Sequence, residues 1–290
     1  MKQLFTLLFA AFAATAFAQQ GILKESLQVK SATLGKEVEY SIYLPSDYET
    51  SSRRYPALYL LHGYTDDETG WTQFGEANLI ADRLLESGEI PPMIIVMPDA
   101  GVSWYVNSAD GKVPYEDFFI KELIPHIDAT YRTRSSKEFR AVAGLSMGGH
   151  GSLIMAMKHP ELFVAAAPLS AGIITEDEII NMPDENWDRV FGPPYGNGLK
   201  GKERLNEHLF QNWILKIVEN ANADDLKKVA YYIDCGDGDF LIKGNMALHA
   251  ALIDKKVPHE FRVRDGEHNW TYWRTALPEV LKFVGNSFHR

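Results

Sequence analysis

The sequence contains very little cysteine and no pattern of metal ligands. Cys235 is the only cysteine in 290 residues, so no disulfide can form within the chain. Because it ends the apolar run VAYYID, we expect a small buried side chain at the end of a strand. Neither an H-E-x-x-H motif nor a cysteine cluster is present. We therefore expect no bound metal and interpret the acidic run 66–68 as a solvated loop, with a calcium site as the alternative.

Blocks of basic residues are also absent. The chain has 29 Lys and Arg against 39 Asp and Glu, a formal net charge of −10 at pH 7, and no basic block longer than a pair such as Arg53-Arg54. This negative field disfavours nucleic acid and anionic membrane surfaces as partners. No glycine-rich phosphate loop follows the first predicted strand, so no cofactor is expected.

A long apolar run occurs only at the N-terminus. Residues 1–18 place Lys2 before an apolar stretch that ends in Ala16-Phe17-Ala18, a pattern typical of signal-peptide cleavage sites. A permanent membrane helix needs about 20 residues, and no comparable run follows. No cysteine near the cleavage pattern could carry a lipid. We therefore expect a signal peptide over residues 1–18 and a periplasmic or secreted protein.

Predicted strands and helices alternate along residues 19–290, which have the length of one large α/β domain. Two β-like stretches come first and should form an antiparallel entry to a sheet. The runs PALYLLH and PMIIVMP are apolar at every position, which is typical of parallel strands covered on both faces. We therefore predict a single α/β domain with a mostly parallel, doubly wound sheet and helices on both faces.

Residues 171–225 interrupt this alternation. The stretch is rich in proline, glycine and tryptophan, and we interpret it as an insertion rather than a separate domain. The predicted strands cover residues 27–33, 38–44, 56–62, 92–98, 139–144, 162–170, 229–236 and 259–266, and the predicted helices residues 77–86, 116–131, 148–158, 244–253 and 276–287.

A serine nucleophile is indicated by the segment Gly144-Leu145-Ser146-Met147-Gly148, which fits the pattern G-x-S-x-G. Short motifs match by chance, but this one lies between an apolar strand and a helix, which is the context that the chemistry requires. A sharp turn there exposes the serine hydroxyl above the carboxyl edge of the sheet. The flanking glycines avoid the clashes that a Cβ would cause.

A serine hydroxyl needs a histidine base and a carboxylate that orients it, in the chain order Ser, then Asp or Glu, then His. Asp237 and Asp239 follow the strand VAYYIDC, and His268 follows the strand HEFRVR. Because the carboxyl ends of parallel strands meet at one edge of a sheet, these loops should converge on Ser146. The spacing favours His268 as the base and leaves both aspartates open.

The other histidines fit the base less well. His249 lies inside a predicted helix, and His259 begins a strand at the opposite edge. His150 is expected to pack along its helix or to line a pocket.

The negative oxygen of a tetrahedral intermediate also needs N–H donors. These are usually the amide after the nucleophile and one in the loop after the third strand, which points to Met147 and Tyr64. Gly63 lets the backbone turn so that the Tyr64 amide faces inward. We interpret His62 as a structural hydrogen-bonding residue.

Six segments in this order, YLPSDY, YPALYLLHGYTDDETGW, IIVMPDAG, AGLSMGGHGSL, CGDGDFL and GEHNWTYW, resemble the esterase D and feruloyl esterase family of α/β-hydrolases. The resemblance covers nearly all of residues 19–290. It implies the α/β-hydrolase fold, with Ser146, Asp239 and His268 as the catalytic residues and the Tyr64 and Met147 amides as the oxyanion hole. The insertion carries no pattern that the resemblance connects to a substrate.

The resemblance implies a serine carboxylic-ester hydrolase. Because an exported acidic protein suits neutral sugars, we expect removal of feruloyl or acetyl groups from plant polysaccharide such as xylan. A general short-chain acyl esterase, a siderophore-ester hydrolase and a non-catalytic protein that binds carbohydrate or a partner are the alternatives. Tryptophans could supply flat stacking faces for the substrate, namely Trp71, Trp104, Trp187, Trp270 and Trp273.

Overall fold

The computed structural model describes residues 20–288, so the predicted signal peptide lies outside the described residues. Eight strands form one sheet in the order β1-β2-β4-β3-β5-β6-β7-β8. β1 pairs with β2 and β2 with β4 in antiparallel fashion, and every other pair is parallel. The strands are β1 (Ile22–Ser31), β2 (Lys36–Leu44), β3 (Ala57–Leu61), β4 (Ile94–Pro98), β5 (Arg140–Leu145), β6 (Ala165–Leu169), β7 (Ala230–Gly236) and β8 (His259–Arg264).

The mostly parallel sheet with an antiparallel entry confirms the predicted fold class. β3, β4 and β5 are buried at every position because helices cover both faces. β1 begins five residues earlier than the prediction of 27–33. The reason is a register shift between Lys24 and Leu27, where Ser26 has a φ of 51°. This bulge breaks the alternation of polar and apolar residues by which a strand is recognised.

Residues of one strand alternate between two core layers. Tyr59 and Leu61 point to the layer that contains the helices from residue 115 to 130, 147 to 158 and 242 to 254. Leu58 and Leu60 point to the opposite layer, which contains the helices from residue 77 to 86 and 270 to 287. Cys235, at the end of β7, is fully buried as expected.

The helices outside the insertion include the five that were predicted, four of them near their predicted positions, and two short ones that were not predicted. They are α1 (Gly70–Gln73), α2 (Ala77–Glu86), α3 (Tyr115–Phe118) continued by the π-helical Phe119–Leu123 and by α4 (Ile124–Thr130), a 3-10 turn (Lys137–Phe139), α5 (Met147–Lys158), α12 (Ile242–Asp254) and α13 (Trp270–Ser287). The prediction that the last helix begins at residue 276 is wrong. Asn269 caps α13 by accepting a hydrogen bond from the Tyr272 amide, and the helix continues through Pro278.

Residues 171–225 form short helices, and the one over residues 214–220 packs against α5 and α12. These short helices are α6 (Glu176–Asn181), α7 (Asp184–Asn186), the π-helical Trp187–Phe191, α8 (Gly192–Tyr195), a 3-10 turn (Gly201–Arg204), α9 (Glu207–Asn212), α10 (Ile214–Asn220) and α11 (Ala223–Leu226). Ile214 and Val218 are fully buried in the same core layer as α5. This packing holds the insertion above the carboxyl edge of the sheet.

Candidate active site

Ser146 sits on a sharp turn between β5 and α5. Its backbone has a φ of 54° and a ψ of −116°, a conformation that costs energy for any residue with a Cβ. A Cβ on Gly148 would lie 2.3 Å from the Leu61 carbonyl oxygen, and one on Gly144 would lie 2.5 Å from the Gly148 oxygen. Only glycine fits at either position, so the strain and both glycines follow from the close packing of this turn against β3.

Three loops bring a serine, a histidine and an aspartate into one hydrogen-bonded line. His268 Nε2 lies 2.9 Å from Ser146 Oγ, and His268 Nδ1 lies 2.8 Å from Asp239 Oδ2. A carboxylate only accepts, so Nδ1 carries the proton and Nε2 is free to accept one from the serine hydroxyl. The arrangement can therefore transfer a proton from Ser146 to His268.

The two candidate aspartates occupy different places. Asp239 is 2% exposed and contacts His268, whereas Asp237 is exposed and accepts a hydrogen bond from the Gly266 amide. Asp237 thus braces the loop that carries His268 without touching its imidazole. The geometry favours Asp239 as the carboxylate that orients the base.

Hydrogen bonds keep Asp239 ionised. Burial alone would raise the pKa of its carboxyl, but hydrogen bonds from His268, Ser170 and the Leu241 amide outweigh burial, so the pKa lies below its usual range. Trp273 helps to hold Ser170 in place beside Asp239, because its indole N–H donates to Ser170 Oγ at 3.0 Å. Sequence reasoning missed Ser170. Its only signal was its position at the carboxyl end of a predicted strand.

The loop after β3 places the Tyr64 segment beside the serine. A Cβ on Gly63 would lie 3.6 Å from Ser146 Cβ, which shows how closely the two backbones approach. Within residues 20–288, neither the Tyr64 amide nor the Met147 amide donates to a protein acceptor. Both amides remain free to serve as donors to a bound oxygen. The Tyr64 hydroxyl donates to the Arg189 carbonyl and ties this loop to the insertion.

The other four histidines considered from the sequence have structural partners. His62 is 1% exposed, its Nδ1 donates to the Gly63 carbonyl, and its Nε2 accepts from the Ala100 amide. His150 lies 3.1 Å from the Asn212 carbonyl, and burial lowers the pKa of its imidazole to about 4. His249 and His259 contact each other between α12 and β8. None of these side chains touches Ser146.

A cleft of about 720 Å³ opens above Ser146 and His268. The insertion forms one wall of this cleft, with four apolar and three polar side chains. These are Ile174, Glu178, Met182, Asn186, Arg189, Val190 and Phe191. Trp104, Trp270 and Trp273 also line the cleft.

Two tryptophans expected at the substrate site lie elsewhere. Trp71 and Trp187 are fully buried, and neither lines the cleft. The Trp71 indole N–H donates to the Leu61 carbonyl and that of Trp187 to the Gly196 carbonyl. The expectation for these two residues was wrong, because buried carbonyls satisfy their single polar group and leave the rings free to fill the core.

One exposed aromatic residue at the site was missed by sequence reasoning. Phe240 follows Asp239 directly, is 70% exposed, and holds its ring 4.6 Å from the His268 ring. The signal for it was an apolar residue inside the polar loop GDGDFL.

The acidic run 66–68 is not uniformly solvated, so that expectation was wrong. Glu68 is 5% exposed and accepts a hydrogen bond from the Ser26 hydroxyl at 2.6 Å. Asp66 lines the cleft, and burial raises the pKa of its carboxyl. Across residues 20–288, no three His, Cys, Asp or Glu side chains form a group that could hold a metal ion. No helix of that same part of the chain is long and apolar enough to cross a membrane.

Known proteins are similar to this chain in sequence and in fold. The chain is 38% identical to an endo-1,4-beta-xylanase/feruloyl esterase of Xylanibacter ruminicola over 156 residues, which are 51% of this chain and 22% of that protein. It is 31% identical over 256 residues to the esterase Rv1288 of Mycobacterium tuberculosis, covering 82% of this chain and 54% of that one. The chain thus spans about a fifth to about half of the length of these two relatives.

A solved structure described as a ferulic acid esterase superposes with a TM-score of 0.79 at 33% identity, covering 93% of this chain and 99% of that chain. An α/β-hydrolase fold with a serine, a histidine and an aspartate in line defines the class of serine hydrolases. The family model described as a putative esterase matches residues 31–284, so the chain belongs to this esterase family. The family and the enzyme class expected from the sequence motifs are confirmed.

Proposed function

We propose that this protein is a serine carboxylic-ester hydrolase that removes feruloyl or acetyl groups from plant polysaccharide such as xylan, acting outside the cytoplasm. The observation that carries the proposal is the position of His268, which lies 2.9 Å from Ser146 Oγ and 2.8 Å from Asp239 Oδ2. The location rests on the sequence of residues 1–18.

The mechanism follows from this geometry. Ser146 Oγ attacks the ester carbonyl carbon as His268 Nε2 takes its proton, and the oxygen that becomes negative accepts hydrogen bonds from the Tyr64 and Met147 amides. His268 then passes the proton to the leaving alcohol, and an acyl-serine remains. Water, deprotonated by the same imidazole, releases the acid. Asp239 holds the Nδ1–H tautomer and stabilises the imidazolium that forms in each step.

Three features support the substrate class. The relative from Xylanibacter ruminicola is named for xylanase and feruloyl esterase activities, and the structural neighbour is named for ferulic acid. The cleft has room for an aromatic acyl group as well as for acetyl. The apolar side chains of the insertion wall, which include Ile174, Met182 and Val190, suit the body of such a group.

A panel of three substrates tests this proposal. We expect hydrolysis of p-nitrophenyl acetate together with a higher kcat/KM for methyl ferulate or for acetylated xylan, measured under one set of conditions. Turnover of p-nitrophenyl acetate alone would identify a general short-chain acyl esterase and overturn the polysaccharide assignment. Failure to hydrolyse any ester would instead favour a non-catalytic binding protein.

The pH dependence should show one ionisation on its acid side. The base must be unprotonated to accept the serine proton, so kcat/KM should fall as the pH is lowered, by about tenfold per pH unit where one protonation controls the rate. The pKa of Asp239 lies below its usual range, so this carboxylate should stay ionised to a lower pH than an ordinary aspartate and should add no second step to the upper part of the fall. Initial rates with p-nitrophenyl acetate at constant ionic strength measure the slope. A flat acid side, or a slope of two, would contradict the assignment.

A further inference from the structure

An exposed aromatic surface lies beside the histidine. Seven large hydrophobic side chains of residues 20–288 are exposed, and two of them are aromatic, Phe240 at 70% and Phe74 at 50%. The Phe240 ring lies 4.6 Å from His268, and the Phe74 ring lies 5.8 Å from Trp270, which lines the same cleft. We call Phe74, Phe240 and Trp270 the aromatic rim.

The reaction determines which half of an ester reaches the aromatic rim. The leaving oxygen must receive its proton from His268 Nε2, so the alcohol half departs on the side of this imidazole. Phe240 lies against the same imidazole. The alcohol half therefore passes the aromatic rim, whatever the acyl group is.

The charges around the aromatic rim indicate which charge the alcohol half can carry. The loops 236–241 and 265–270 carry three exposed carboxylates, Asp237, Asp265 and Glu267, against one exposed cation, Lys243, just beyond the first loop. Arg274, which follows, is paired with Glu76. Arg189, in the insertion, is a cation that lines the cleft, and it donates to the uncharged amide of Asn186. These carboxylates would repel an anionic alcohol, whereas an uncharged one meets no such cost.

We propose that the aromatic rim binds the alcohol half of the substrate, which under the proposed function is an uncharged sugar ring. A sugar ring presents apolar C–H faces that cover an aromatic ring while its hydroxyl groups stay in water. An open rim also lets a polymer extend away from the cleft. The proposal rests on the proposed function and specifies its leaving group and the residues that hold it.

Three esters of one acid test the proposal, because they differ only in the alcohol. They are methyl ferulate, a feruloyl ester of arabinose and feruloylquinate, whose alcohol is an anionic ring. We expect the arabinose ester to have the highest kcat/KM and feruloylquinate the lowest. If acetyl proves to be the acyl group, the corresponding acetyl esters are compared.

Variants of Phe240 show whether the ring itself is responsible. In Phe240→Ala and Phe240→Leu, the ratio of kcat/KM for the arabinose ester to that for methyl ferulate should fall by about tenfold, as expected from the loss of a stacking contact of about 1.4 kcal/mol. Phe240→Tyr should restore the ratio. Using a ratio cancels any effect of Phe240 on His268, because both esters need the same base. Ile253→Ala, which alters an exposed residue of α12, serves as the matched control.

An unchanged ratio in Phe240→Ala, or hydrolysis of feruloylquinate as fast as the arabinose ester, would overturn the proposal while leaving an active esterase. Failure of the proposed function is a different result, in which the wild-type protein cleaves none of the three esters.

Discussion

Replacing Ser146 with alanine should lower kcat for p-nitrophenyl acetate on the order of 10⁶-fold. The variant removes the only oxygen that lies within hydrogen-bonding distance of His268 Nε2 among the described residues, so neither the acyl-serine nor its hydrolysis can occur. Residual activity would come from the amides and the cleft alone. Initial rates with purified protein measure the loss.

Two controls separate chemistry from folding for this variant. Alanine removes the Ser146 hydroxyl without altering the backbone turn, so the midpoint of thermal unfolding should change little. Ser152→Ala, in the same helix, loses a hydrogen bond to the Gly149 carbonyl and should keep activity within a few-fold of wild type. More than about one hundredth of wild-type activity in Ser146→Ala would remove Ser146 from the mechanism.

Replacing Asp239 with asparagine should lower kcat on the order of 10⁴-fold. The asparagine NH₂ group can donate to His268 Nδ1, which would place the imidazole proton on Nε2, where it blocks acceptance of the serine proton. The negative charge that stabilises the imidazolium is lost as well. The Leu241 amide keeps an acceptor if the amide oxygen faces it, so the loop should keep its shape.

Asp237→Asn is the matched control, since it makes the same chemical change two residues away. Asp237 accepts a hydrogen bond from the Gly266 amide at 3.2 Å and does not touch the imidazole, so we expect less than a tenfold loss. The reverse ranking of the two variants would assign the orienting role to Asp237.

The fold was predictable wherever burial leaves a pattern in the sequence. Strands β3, β4 and β5 are apolar at every position because helices cover both faces, and such runs are easy to recognise. The predicted ends of strands and helices were wrong where a single local feature sets them. The bulge at Ser26 concealed the beginning of β1, and the cap at Asn269 starts α13 ahead of its most regular part.

The sequence predicted which side chains come together at the site, as far as their positions depend on where the strands end. Ser146, Asp239 and His268 follow β5, β7 and β8, and a parallel sheet brings those ends to one edge. The spacing alone did not separate Asp237 from Asp239, because both lie in one short loop, and the choice of Asp239 came from the family resemblance. The positions of Trp71 and Trp187 were not predictable either, since an indole in the core and one in a cleft have the same sequence signal.

Covalent labelling with a fluorophosphonate, followed by peptide mass spectrometry, tests the central claim most directly. We predict one adduct, on Ser146 of the wild-type protein, and a much slower reaction in His268→Ala because the hydroxyl then lacks its base. An adduct on another residue, or an unlabelled Ser146 in a protein that still hydrolyses p-nitrophenyl acetate, would contradict the account.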